Sequence, residues 1–116
     1  ANLEQVMTPA NYAAMEARAG HVADALTAVI GGLPWHVARV GVRIEVIFSA
    51  RPLRNGTEAS AAHLVELEQA VHIGLVNRGV LIAPFHNMML VSPATTQRDV
   101  EHLVSAMTQI TGKLRD

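Results

Sequence analysis

The chain has 116 residues, half of them hydrophobic, 3% aromatic and 16% charged, with a formal net charge of −1 and no cysteine. That size is one domain, and the balanced charge argues against nucleic acid, which calls for a basic footprint, and against an acidic membrane surface. Absent cysteine rules out disulfides and thiolate chemistry and fits a cytoplasmic protein.

No apolar run reaches the roughly 18 residues that would span a bilayer. The N-terminus lacks a basic stretch followed by an apolar one, so no signal peptide is visible. It also lacks Met, which implies processing or excision from a longer chain. Leu3, Val6 and Met7 are helically spaced ahead of Thr8-Pro9. A segment this short is not a stable helix alone. It is read either as a frayed end or as the remnant, residues 1–7, of a connecting helix.

Thr8 can cap a first long helix with Pro9 at its first position. Tyr12, Met15, Ala19, Val22, Leu26, Val29 and Ile30 follow at helical spacing, and Gly31-Gly32 with Pro34 ends the run. From residue 40 to 48, Val40, Val42, Ile44, Val46 and Phe48 alternate with Gly41, Arg43 and Glu45, the pattern of a half-buried strand. Residues 35–39 are either the start of that strand or a separate partner turned at Gly41. A second helix is expected from near Ser60, carrying Leu64, Leu67, Val71 and Leu75, closed by Asn77-Arg78-Gly79. Residues 80–84 and 88–92 are expected to form a hairpin around Phe85-His86-Asn87. A third helix should start after Thr95-Thr96, with Thr96 and Asp99 forming an acidic capping box. Val100, Leu103, Val104, Met107, Ile110 and Leu114 line it. The sum is an α+β fold in two layers. It has a small antiparallel or mixed sheet of three to four strands and three helices, mainly on one face.

The expected hairpin strands, Val80-Leu81-Ile82-Ala83 and Met88-Met89-Leu90-Val91, are continuously apolar. A sheet with helices on one face should be polar on the other. Either a helix crosses to the second face or a docking partner covers it.

Chemistry-bearing motifs are sparse. The six histidines form no HxxxH, HExxH or mixed cluster with cysteine, so no metal site is expected. Glu68 and His72 stand one helical turn apart, a spacing that usually means a surface contact. No serine has a nucleophile-elbow context, and no glycine-rich phosphate loop is present. No catalytic residue is assigned.

Arg78-Gly79-Val80-Leu81-Ile82-Ala83-Pro84, then Ser92-Pro93-Ala94-Thr95-Thr96 and Asp99-Val100, together resemble the C-terminal small domain of class III aminotransferases. These are fold-type-I enzymes that use pyridoxal phosphate. The resemblance runs loosely from Asn2 to Phe48 and more closely from Glu66 to Ile110. The Gly-Val, Ala-Pro, Ser and helix-start pattern is similar to glutamate-semialdehyde aminomutases. The Pro84-Phe85-His86-Asn87-Met88 tip is most similar to β-phenylalanine aminotransferases. Two departures stand out: the family's frequent Gly-Ser-Met becomes Gly41-Val42-Arg43, and the arginine that often precedes the proline becomes Ala83.

The resemblance implies a homodimeric parent enzyme that moves an amino group from a β-amino acid, or a similar one, to a keto acid. Pyridoxal phosphate would sit in a large domain missing here, with this domain closing over the substrate side. The chain's only lysine is Lys113. The Schiff-base lysine such an enzyme needs is therefore expected elsewhere, and the isolated chain is expected to bind no cofactor and to be inactive. Substrate-side candidates are Ala83 and His86 on the hairpin, with Arg51, Arg54 and Arg78 as cations. Each has a plainer role beside it. Arg78 suits the end of a helix dipole, Arg51 and Arg54 lie in a polar turn-rich loop, His86 is an exposed tip and Ala83 is sheet packing. The alternative is a stand-alone α+β domain that binds or dimerises through its apolar sheet.

Overall fold

The computed structural model describes residues 1–84 and 86–115. A four-residue helix, α1 (Asn2–Gln5), precedes the long α2 (Pro9–Val29). Two strands, β1 (His36–Val40) and β2 (Arg43–Ile47), follow. Then come α3 (Gly56–Ala61), α4 (Val65–Val76), the short β3 (Met89–Leu90) and α5 (Gln97–Arg115). The strands form one antiparallel sheet in the order β1-β2-β3.

The punctuation of the long helices follows their sequence. Thr8 accepts from the Asn11 amide, and Pro9 opens α2. α5 begins on a reciprocal box. Thr96 Oγ1 accepts from the Asp99 amide at 3.2 Å, and Asp99 Oδ2 accepts from the Thr96 amide at 2.7 Å. Those bonds hold the Asp99 carboxyl below the usual aspartate range, the Thr96 amide first and its hydroxyl second. At the far end of α5, the Arg115 guanidinium donates to the Val29 and Gly31 carbonyls, so the last turn of one long helix caps the end of the other.

Residues 35–39 resolve into a separate strand. β1 turns back at Gly41, whose φ of +57° lies in the left-handed region that suits glycine. Ile44, Val46 and Phe48 are buried as the alternation predicts, whereas Val40 is exposed. Cross-strand partners share a face, so Arg39, Ile44 and Met89 lie on the face that α2 covers, with Ile44 and Met89 buried and the exposed Arg39 donating to the Glu16 carbonyl, while Val40, Arg43 and Leu90 look away. α2 lies on β1 and β2, and α5 packs on both α2 and α4. Leu26, Ile44, Leu75 and Met107 sit fully buried between these layers.

Two expectations need correction. The second helix is two helices, because Asn55 caps an earlier start by accepting from the Glu58 amide, and the chain breaks at residues 62–64 before α4. The hairpin is mostly not a ladder either. Only Met89–Leu90 pairs with β2, and residues 80–83 run beside it without forming a strand. A single backbone bond, Ala83 to the Met88 carbonyl at 3.1 Å, closes the tip.

The apolar run does alternate in burial. Ile82, Met89 and Val91 are buried, while Leu81 is 86% exposed and Leu90 67% exposed. The chain's own helices cover the inner side of this segment. They leave a second apolar surface facing outward.

Candidate functional site

Two residues of the hairpin tip take an unusual backbone conformation. His86 (φ +57°) and Asn87 (φ +45°) are the two non-glycine residues in the left-handed region among those described, a conformation that asparagine tolerates better than most. Phe85, between Pro84 and His86, lies outside the described residues. Asn87 is buried, and its Nδ2 donates to the Glu68 carbonyl at 2.9 Å, which fastens the tip to the first turn of α4. Its Oδ1 is buried with no hydrogen-bond partner among the described residues.

That fastening assembles polar side chains from three parts of the chain. Glu68 reaches back over the helix start to His63, Oε1 to Nδ1 at 2.6 Å. The His63 and His86 rings are 5.2 Å apart. The Nδ1 of His86 lies 3.6 Å from Glu45 Oε1, and Glu45 in turn accepts from Arg43 at 3.0 Å. Glu45, His63, Glu68 and His86 thus line one small groove, floored by Val46 and Phe48.

A wider groove adjoins it across Phe48, Leu53 and Ala62, and holds Arg51 and Arg54. Arg54 is committed to Glu58. Its Nε donates to Oε1 at 2.9 Å and its amide to Oε2 at 2.8 Å, and the guanidinium keeps the Glu58 carboxyl below its ordinary range. The exposed Arg51 guanidinium has no hydrogen bond among the described residues, which leaves it available to an anion.

Arg78 lies elsewhere. Its Nη1 donates to the Gly74 carbonyl at 2.9 Å and its Nε to Gln109 at 3.0 Å, so it ties the end of α4 to α5. Ala83 lines a third, apolar cleft of about 270 Å³ with Val22, Ile82, Met89, Val91 and Val100. The fold therefore brings His86, Arg51 and Arg54 to adjoining grooves, sets Ala83 on the same hairpin, and leaves Arg78 outside.

Sequence reasoning missed Glu45, His63 and Asn87, and paired Glu68 with His72. His63 and Glu68 are five positions apart across a helix start. No helical or strand period flags that spacing.

The residues present do not fit pyridoxal phosphate by themselves. Lys113 sits exposed in the last turn of α5, far from the buried setting that lowers a Schiff-base lysine's pKa. No step through that group is assigned to this chain.

An α+β fold of this form occurs as one part of solved aminotransferases and aminomutases. The particular likeness is to a glutamate-1-semialdehyde aminomutase from Pseudomonas aeruginosa, solved in complex with PMP. The match has a TM-score of 0.93 and 39% identity over 97% of this chain and 25% of that one. A β-phenylalanine aminotransferase from Variovorax paradoxus shares the fold, with a TM-score of 0.87 and 23% identity over 97% of this chain and 26% of that one. In sequence alone, the chain is 28% identical over 109 residues to a glutamate-1-semialdehyde 2,1-aminomutase from Desulfosudis oleivorans, covering 91% of this chain and 25% of the relative. No protein-family model matches the chain. The resemblance read from the sequence is thus met in both directions, and the chain spans about a quarter of the length of the relatives it matches.

Proposed function

We propose that this chain, residues 1–116, is the C-terminal small domain of a class III, fold-type-I aminotransferase or aminomutase that depends on pyridoxal phosphate. The observation that carries this reading is a 39% identical match across 97% of the chain to a quarter of an aminomutase. The parent is read as a cytoplasmic homodimer moving an amino group from a β-amino acid or similar substrate to a keto acid. Its large domain supplies the cofactor and the lysine. Residues 1–7, with Leu3 exposed on α1, are the stump of the helix leading into that domain.

The outward apolar surface supports the docking. Burying a leucine is worth about 1.5–3 kcal/mol, so Leu81 and Leu90 together offer on the order of 2–5 kcal/mol to a covering body. With the large domain seated there, the tip and its grooves face the substrate side. Arg51 is the uncommitted cation for a carboxylate, Arg54 a second one held by Glu58, and His86 and Ala83 form the rim and wall. Arg78 braces α4 and contributes only indirectly.

A chimera tests this: the Pseudomonas aeruginosa aminomutase with its own small domain replaced by this chain. It is expected to assemble, bind cofactor and retain turnover, while the isolated chain with pyridoxal phosphate gives no lysine adduct and no transamination. A cofactor-loaded chimera without any turnover, or turnover by the isolated chain, refutes the reading. The exposed leucines also serve a stand-alone dimerisation domain. Under that alternative the isolated chain sediments as a saturable dimer that Leu81→Ser dissociates.

A further inference from the structure

The geometry points to a binding site for a divalent first-row transition ion, zinc being the prototype, formed by His63, Glu68 and His86. Each residue offers one ligand atom, and these atoms lie within 4.8 Å of one another. Imidazole nitrogens suit zinc, nickel and copper, and zinc also takes a carboxylate oxygen beside them. Two histidines and a glutamate leave a fourth position open in tetrahedral zinc.

The separations are close to what an ion needs. Zinc–ligand bonds of about 2.0–2.1 Å place neighbouring donors about 3.3 Å apart around a tetrahedron. His63 Nδ1 and Glu68 Oε1 at 2.6 Å would open slightly, and the widest pair would close by about 1.5 Å. Side-chain rotation of the exposed His63 and His86 supplies both movements. The backbones that carry them need not move. The Asn87 bond to the Glu68 carbonyl already holds the hairpin against α4. This fixes the one long-range separation that would otherwise cost loop-closure entropy on binding.

A supporting shell is also in place. Glu45 approaches Nδ1 of His86, where it can accept that N–H once Nε2 carries the ion, the carboxylate–histidine–metal arrangement that fixes a ligand's tautomer. Arg43 holds Glu45 from its other side. The site is independent of any enzymatic role. The ion would pin the hairpin tip to the start of α4 in the isolated chain and in any larger assembly alike.

Titration of the isolated chain with Co²⁺ tests the site through the ligand-field absorption of a tetrahedral or five-coordinate ion. One saturable equivalent is expected, displaced by Zn²⁺, with a rise in Tm. His63→Ala and His86→Ala should each weaken binding by about tenfold or more. His21→Ala, on the exposed side of α2, should leave it unchanged. Both target histidines are exposed, so the variants should fold, and far-UV circular dichroism verifies this. Absence of saturable binding at millimolar cobalt, or full binding by the folded His63→Ala and His86→Ala proteins, overturns the proposal.

Discussion

Gly74 faces Ile110 across the contact between α4 and α5. A Cβ built there would lie 3.0 Å from both Cδ1 and Cγ1 of Ile110. In an open helix, glycine to alanine gains about 1 kcal/mol. Forcing a methyl into a packed core costs about 1–3 kcal/mol. With the close approach made to both Cγ1 and Cδ1 of a buried, branched side chain, the second effect wins. Gly74→Ala is therefore expected to destabilise the chain by about 1 kcal/mol. Ile110→Ala alone should cost about 2–5 kcal/mol, and it clears the space. In that background Gly74→Ala should stabilise by about 1 kcal/mol. The sign inverts, and the coupling between the two sites comes to about 2 kcal/mol. Urea unfolding of the four proteins, followed by far-UV circular dichroism, measures every corner of the cycle. A Gly74→Ala protein more stable than the parent, with additive effects in the double variant, would show that the helices are not packed as described.

Four other outcomes can be checked directly. Thr96→Ala removes the reciprocal cap of α5 and should cost about 1 kcal/mol in chemical unfolding. Because the folded-state pKa of Asp99 is lowered, its contribution is present above the ordinary aspartate value and disappears as pH falls through the lowered one. Asp99→Asn should accordingly show a smaller loss of unfolding midpoint between neutral pH and about pH 3 than the parent. Leu81→Ser with Leu90→Ser should leave stability within about 0.5 kcal/mol while reducing the binding of an apolar dye. Unchanged dye fluorescence would remove the case for a covered surface. Arg115→Ala should lower stability by about 1 kcal/mol, read as a shift in Tm.

What could be read from residues alone followed local rules. Thr8-Pro9, Thr96 with Asp99, and the alternation from Ile44 to Phe48 each depend on neighbours a few positions apart, and each is found as expected. The Asn55–Glu58 cap obeys the same rules and was legible. The surrounding Arg51-Pro52-Leu53-Arg54 nevertheless reads as loop and obscures it. Residues 80–83 misled for another reason. Continuous apolarity looks the same for a buried strand and for a segment whose inner side packs while Leu81 faces outward. The site was least legible. His63, Glu68 and His86 meet only because Asn87 anchors the tip to α4, and a hydrogen bond between residues 19 apart leaves no period in the sequence. The resemblance located the hairpin but not the histidine partner across from it.

The clasp of Arg115 on the Val29 and Gly31 carbonyls spans 84 to 86 positions of sequence. During translation α2 emerges early, and those carbonyls stay in water until the final turn of α5 has cleared the ribosome. Until then α2 also lacks the partner helix that packs along it. Nascent chains stalled before α5 has emerged should therefore remain protease-sensitive around Gly31, and the arrival of α5 against α2 should confer resistance at a position synthesised long before.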